Sequence, residues 1–324
     1  VARDIAKHLG ATKRGQGWLE GNGWTVTWAF GHMVELQEPE DYRAEWKPWR
    51  LSNLPIIPEH FQLRSRTDGS AHEQLATIKR LFNEADEIIC ATDAGREGEL
   101  IFRYILTWTG CEHKPVQRLW ISSLTNEAIE KGFAKLQPCS AFDHLYHAAR
   151  CRSEADWIVG LNATRFFTVE YGRRNLLLSL GRVQTPILAM IVGRDLEVER
   201  FVAEDFWEVH TLSRDALFKH TGGKFPAQQA AQTILEKVTG QELVITSIEK
   251  KKTLAHPPQL YDLTSLQRDM NKRHGLTADQ TLKLAQTLYE SKHLTYPRTD
   301  SCYLSQDIEP TIPPLLEKLR QLKS

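Results

Sequence analysis

The chain has no excess of either charge: 41 lysines and arginines stand against 41 aspartates and glutamates in 324 residues. Such a balance neither demands nor excludes nucleic acid, because a local basic stripe is enough to bind phosphates. Cysteine is sparse. Cys90, Cys111, Cys139, Cys151 and Cys302 lie far apart and form no Cys-x-x-Cys pair, which argues against a zinc module or a disulfide framework and fits a reducing compartment. No apolar run approaches the length that spans a bilayer, and no signal peptide is visible, so a cytoplasmic protein with no membrane partner is expected. Neither Gly-x-Gly-x-x-Gly nor Gly-x-x-x-x-Gly-Lys-Ser/Thr occurs. A nicotinamide cofactor and nucleotide hydrolysis therefore find no support, and no nucleotide cofactor is expected.

What is present is an ordinary apolar fraction, 41%, in a chain long enough for two or three domains. An amphipathic helix follows Val1 directly. Trp24 to Phe30 alternates as a strand does, Gly31 and His32 turn the chain, and Asp41 to His60 is a loop rich in Trp and Pro. His32 is a candidate ligand or base, with a structural role as the alternative. Ala71 to Ala85 has helical period, and Glu87 to Thr92 reads as a buried strand. The next residues, Asp93-Ala-Gly-Arg-Glu-Gly-Glu, form a turn into a helix. That order places Asp93 at the carboxyl end of a strand, where open α/β sheets bind ligands. Asp93 and Glu97 are hard oxygen donors that suit Mg²⁺ better than zinc. Glu99 can extend the cluster, although acidic residues also favour a helix start for electrostatic reasons alone.

Positive charge gathers between Gly160 and Arg194, where Arg165, Arg173, Arg174, Arg182 and Arg194 face only Glu170. Ala149 to Arg165 is helical in period. A second helix is expected near Arg182 with Ser179 as its cap, and Arg182 and Gln184 offer phosphate or base donors. Further on, Trp207 to Leu212 and Leu243 to Ile248 are strand-like, Gly222-Gly223 is a turn, and Ala230 to Val238 is a short helix. Lys250-Lys-Lys followed by His256-Pro-Pro marks a domain crossing. Leu263 to Gly275 and Thr277 to Ser291 are helices, and Leu315 to Ser324 ends the chain as another.

The stretch from Lys292 to Cys302, Lys-His-Leu-Thr-Tyr-Pro-Arg-Thr-Asp-Ser-Cys, sets a phenol, a guanidinium and a carboxylate beside a proline. Pro297 biases Tyr296 toward extended backbone, so Tyr296 and Arg298 can point at one ligand. A tyrosine with a reference pKa near ~10 attacks phosphorus only in a strong positive field. Arg298 supplies part of it. The alternative is a buried tyrosine before a turn, with Arg298 and Asp300 on the surface.

The acidic motif resembles the signature of the toprim domain, the metal-binding α/β domain of topoisomerases and primases. The tyrosine motif resembles that of type IA topoisomerases, most closely the bacterial topoisomerase III branch, and Ser179-Leu-Gly-Arg-Val-Gln-Thr-Pro is a further match. The two main motifs stand about 200 residues apart in the family's order. The resemblance implies a multidomain fold, α/β and α: a toprim domain over 1–148, a helical domain for single-stranded DNA over 149–206, part of a β arch over 207–255 and a winged-helix-like domain over 256–324 that carries the tyrosine. It implies Tyr296 as nucleophile, Arg298 and Glu97 as catalytic partners, Asp93 and Glu97 as Mg²⁺ ligands, and Arg96, Arg165, Arg182 and Gln184 as DNA contacts. Asp300 would orient Arg298. The implied activity is ATP-independent relaxation or decatenation through a 5′-phosphotyrosyl intermediate, by a monomer acting on single-stranded or negatively supercoiled DNA of a bacterial nucleoid or plasmid. The chain departs from the pattern at Gly95, where family members often carry a second aspartate. The family's glutamate and lysine before the first helix would lie upstream of Val1, so the chain reads as a fragment truncated at both ends. A primase or nuclease of toprim type, and an inactive fragment that binds single-stranded DNA, remain the alternative readings.

Overall fold

The computed structural model describes residues 1–66, 69–173, 176–291, 293–299, 301–304 and 306–321. They divide into two compact units, Val1–Thr185 with Gln259–Ser324, and Pro186–Pro258. The architecture is that of a multidomain α/β and α protein.

The first unit opens with α1 (Ala2–Leu9), closed by Gly10 in the left-handed region at φ 72°, and a small antiparallel sheet of β1 (Lys13–Arg14), β2 (Trp18–Gly21) and β3 (Trp24–Thr27). β3 is shorter than the expected strand, because it pairs with β2 only as far as Thr27. β4 (Val34–Leu36) follows, then the single turn α2 (Pro39–Tyr42), and β5 (Leu63–Ser65) returns antiparallel to β4. Between them runs the Trp and Pro loop, fastened to a distant helix by Asn162, whose side chain bonds both the amide of Ile56 at 2.6 Å and its carbonyl at 2.9 Å.

α3 (Gly69–Glu84), β6 (Ile88–Cys90), α4 (Arg96–Thr109) and β7 (Val116–Arg118) come next, with β6 and β7 parallel. This is a β-α-β unit. α5 (Asn126–Phe133), capped by Thr125, leads to β8 (Gln137–Pro138), antiparallel to β7. The long α6 (Asp143–Tyr171) extends the predicted helix in both directions.

α4 is apolar on opposite sides, and that decides where the core lies. Leu100, Tyr104 and Ile105 pack with Met33, Val34, Leu75 and Ile78, while Phe102 and Leu106 pack with Ile88, Cys90, Cys111 and Cys139. A helix buried nearly all round has only its ends to offer solvent. Its first turn is therefore the natural place for chemistry.

α7 (Gln184–Glu199) starts two residues later than expected. Ser179 is not its cap: the Ser179 hydroxyl takes the Gln184 side-chain amide at 3.0 Å, while the Gly181 amide donates to the Thr185 hydroxyl at 3.0 Å. Within Pro186–Pro258, β9 (His210–Ser213) and β10 (Ala216–Lys219) form a hairpin. Its two turn residues, Arg214 and Asp215, both have positive φ, 46° and 65°, the twist that a two-residue hairpin requires. α8 (Gln228–Val238) agrees with the sequence. The expected strand over Leu243 to Ile248 does not form: Val244 and Ile248 are 67% and 76% exposed and the segment has no regular structure. Among the described residues no strand pairs with it, and unpaired backbone gains nothing from an extended ladder.

α9 (Leu263–His274) and α10 (Ala278–Glu290) each carry a capping box, Asp262 with Ser265 and Thr277 with Gln280, and Gly275 ends α9 at φ 67°. α11 (Ile312–Gln321) closes the described chain. Among the described residues no helix is long and apolar enough to cross a membrane.

Burial sorts the cysteines by reactivity. Cys90, Cys111 and Cys139 are buried and Cys151 is exposed; burial pushes the Cys90 thiol up to about 11. In native protein at neutral pH, iodoacetamide should label Cys151 well before Cys90, which should react only on unfolding. Peptide mass mapping reads the order, and early labelling of Cys90 would contradict this packing.

Candidate active site and nucleic-acid interface

The carboxyl end of β6 runs through Thr92 to Asp93, and Gly95 caps α4. Asp93, Arg96 and Glu97 are all exposed there. The backbone turns tightly enough that a Cβ on Gly98 would lie 2.1 Å from the Asp93 carbonyl oxygen. Gly95 differs: its backbone is extended and an added Cβ meets nothing within 4 Å. His32, a candidate from sequence, places Nε2 against Glu97 Oε1. The structure thus joins two sequence candidates 65 positions apart.

Glu99 does not extend this cluster. It is fully buried and paired with Arg118, whose Nε lies 2.6 Å from Glu99 Oε1 and which is itself fully buried. Sequence reading missed Arg118, although an arginine within the apolar run Val116-Gln-Arg-Leu-Trp was a signal. Among the described residues, no group of three or more His, Cys, Asp or Glu side chains could hold a metal ion. Two exposed carboxylates without a third fit the magnesium pattern of one or two protein ligands completed by water and substrate phosphates, not an ion enclosed by protein.

The tyrosine segment follows α10. Pro297 is buried, while Tyr296 is 45% exposed and Arg298 is exposed. The Tyr296 ring stands edge-on to Tyr289, centroids 5.3 Å apart at 68°. The Leu263 amide donates to the Thr299 carbonyl at 3.3 Å, which ties the far end of the segment to the start of α9. The phenol is accessible, and before it the His293 amide donates to the Leu288 carbonyl at 2.8 Å, so the segment is tied to helices at both ends. Asp300 and Lys292 lie outside the described residues. No hydrogen bond or ion pair joins Tyr296 or Arg298 to Asp93 or Glu97 among the described residues.

The arginines of the expected DNA surface part company. Arg182 is exposed and forks onto Asp156, Nε to Oδ1 at 2.6 Å and Nη2 to Oδ2 at 3.2 Å; the guanidinium holds the Asp156 carboxyl below the usual carboxylate range. Gln184 is exposed beside it. Arg165 is only 5% exposed. Its Nη1 donates to the Trp46 carbonyl at 2.5 Å, and its guanidinium lies over the Trp49 ring at 5.3 Å. Burial pushes its pKa down. Arg165, which the resemblance places among the DNA contacts, here props the Trp and Pro loop, whose carbonyl and ring take its guanidinium.

The two glycines give a direct contrast in stability. Gly98→Ala should lower stability by about 1–3 kcal/mol, the usual cost of forcing a carbon into a filled space, while Gly95→Ala should melt as the parent does. Equal melting curves for Gly98→Ala and the parent would contradict the close approach at Asp93.

A family model described as Toprim domain matches residues 1–124, and one described as DNA topoisomerase matches residues 140–324. DNA topoisomerase 3 of Bacillus cereus is 43% identical over 323 residues, covering 98% of this chain and 44% of that protein. The Bacillus subtilis protein of the same name is 43% identical over 327 residues with the same coverage, and that of Shouchella clausii is 43% identical over 321 residues, 96% of this chain and 43% of the relative. The chain thus spans under half the length of these curated relatives. Full-length topoisomerase I from Thermotoga maritima superposes with a TM-score of 0.59 over 98% of this chain and 51% of its own, at 22% identity, a likeness of fold alone. With both family models matched in order and the relatives aligned from end to end of the chain, it belongs to the type IA DNA topoisomerases, in the topoisomerase III branch.

Proposed function

We propose that the protein containing this chain is an ATP-independent topoisomerase that cleaves and reseals single-stranded DNA. One observation carries the reading: an accessible tyrosine on a proline-anchored segment, with an arginine two residues on, shares a chain with a carboxylate-bearing strand-to-helix turn of toprim type. The Tyr296 phenol oxygen attacks a backbone phosphorus and the bond to the 3′ oxygen breaks. The phenol loses its proton and the 3′ oxygen gains one, leaving a 5′-phosphotyrosyl link and a free 3′-hydroxyl. After another strand passes, the hydroxyl attacks the same phosphorus and releases the tyrosine. One phosphodiester is exchanged for another, so no ATP is consumed.

Arg298 meets the charge that builds on the phosphoryl oxygens, a contribution of about 3 kcal/mol for a well-placed donor. Arg96, Arg182 and Gln184 offer exposed donors to phosphates or base edges. Arg182 can exchange its aspartate for a phosphate without opening the core. Asp93 and Glu97 would hold Mg²⁺, whose charge helps to position the ends for resealing. His32 keeps the Glu97 carboxylate oriented. The substrate is single-stranded or negatively supercoiled DNA, relaxed or decatenated by a monomer in the bacterial cytoplasm.

The decisive test uses the full-length protein and an oligonucleotide labelled on either side of the break. The label downstream should become attached to protein through its 5′ phosphate, and Tyr296→Phe should form no adduct while still binding the strand. Relaxation that survives Tyr296→Phe would remove the proposal and favour primase or nuclease chemistry. Gly95→Asp adds a carboxylate where there is room for one, and should lower the Mg²⁺ concentration that half-saturates resealing; an unchanged Mg²⁺ dependence would count against Asp93 and Glu97 as its holders.

A further inference from the structure

Arg118 donates from all three of its guanidinium nitrogens. Nε donates to Glu99 Oε1 at 2.6 Å. Nη1 reaches three carbonyl oxygens, those of Cys90 at 3.1 Å, Thr92 at 2.7 Å and Leu119 at 2.9 Å, and Nη2 reaches that of Asp93 at 2.8 Å. Three of these carbonyls belong to the strand end and turn that deliver Asp93. An arginine that served only to fill the core would not gather the backbone of one turn in this way.

The opposite side of the turn is fastened too. The Thr92 hydroxyl donates to the Gly98 carbonyl at 2.8 Å, and Gly98 lies too close to Asp93 to admit a Cβ. Glu99, two residues beyond Glu97, holds the guanidinium from α4, and Arg103 sets its Nε 3.7 Å from the second Glu99 oxygen. Above the guanidinium lies the Trp120 ring at 5.0 Å, stacked in turn on Phe142 with centroids 4.7 Å apart. Water is kept from a cation that touches β6, β7 and α4 together.

We propose that Arg118, braced by Glu99, is a positioning residue that clamps the carbonyls of the Thr92–Asp93 turn and so presents the exposed Asp93 and Glu97 carboxylates to a divalent cation in a fixed arrangement. The inference rests on the reading of Asp93 and Glu97 as cation holders, but the clamp itself is a statement about this turn and is measured separately. A chelating pair on a loose turn must be ordered when the ion arrives, whereas a clamped pair is already in place.

The test uses the full chain with Mn²⁺ as probe, read by electron paramagnetic resonance, and ¹⁵N relaxation for the turn. In the parent, the amides of Asp93 and Ala94 should show order parameters near ~0.85, as in rigid backbone, despite their exposure; values below about 0.6 would overturn the clamp without any substitution. Arg118→Lys keeps a cation opposite Glu99 but cannot reach four carbonyls from one nitrogen. It should melt cooperatively, loosen Asp93 and Ala94 while leaving α5 unchanged, and weaken Mn²⁺ binding by roughly 10–100-fold, the usual effect of losing a group that orients a ligand. The paired variant Glu99→Leu with Arg118→Leu removes both charges at once and should give the same loosened turn. A folded Arg118→Lys with parental order and parental Mn²⁺ affinity would reduce the pair to core filling and defeat the inference. Asp93→Asn separates the two claims: if it binds Mn²⁺ as the parent does, the cation reading fails, and the order parameters alone then judge the clamp.

Discussion

A buried ion pair, Arg118 with Glu99, is the constraint on which the rest of the first unit depends. Each partner is fully buried, and removing one partner from such a pair generally costs about 3–5 kcal/mol because the other charge is stranded. That asymmetry explains why the guanidinium is surrounded by carbonyls as well as by its carboxylate: every N–H that leaves water must find an acceptor. The acceptors it finds are the ends of β6 and β7 and the turn into α4. The pair thus couples the packing of the β-α-β unit to the shape of its exposed mouth.

The helix that supplies Glu99 is shaped by the same demand. α4 buries Leu100, Phe102, Tyr104, Ile105 and Leu106 in two clusters on opposite sides, so it cannot rotate to bring Glu99 to the surface without exposing one of them. Glu97, two positions earlier, lies on a different side and stays exposed. Helical geometry alone separates a buried carboxylate that takes the guanidinium from an exposed one at the mouth of the turn.

Local signals were legible in the sequence and distant partners were not. The strand, turn and helix around Asp93, the capped α9 and α10, and the proline that keeps Tyr296 out of a helix all follow from residues within one or two turns of each other. Glu99 could be counted with the acidic cluster because its partner lies 19 positions away, on β7. Arg165 looked like a phosphate donor because its burial depends on Trp46, 119 positions upstream. Leu243 to Ile248 has the composition of a strand, but composition does not supply the neighbour that a ladder needs. In each case the residues were chemically suited to either role, and only the fold determined whether water or protein would be their partner.

That distinction also decides which arginines are free to change partner. Exposed ion pairs contribute little to stability because water competes for both partners, so Arg182 loses little by leaving Asp156 for a phosphate, which offers a guanidinium the same forked geometry. Arg118 cannot make that exchange, since moving it would strand Glu99 and four carbonyls. Arg165 would have to give up a carbonyl and an aromatic face, with the loop that carries them. The arginines are therefore of two kinds: Arg182, whose exposed ion pair can change partner, and Arg118 and Arg165, whose buried contacts fix the turn and the loop.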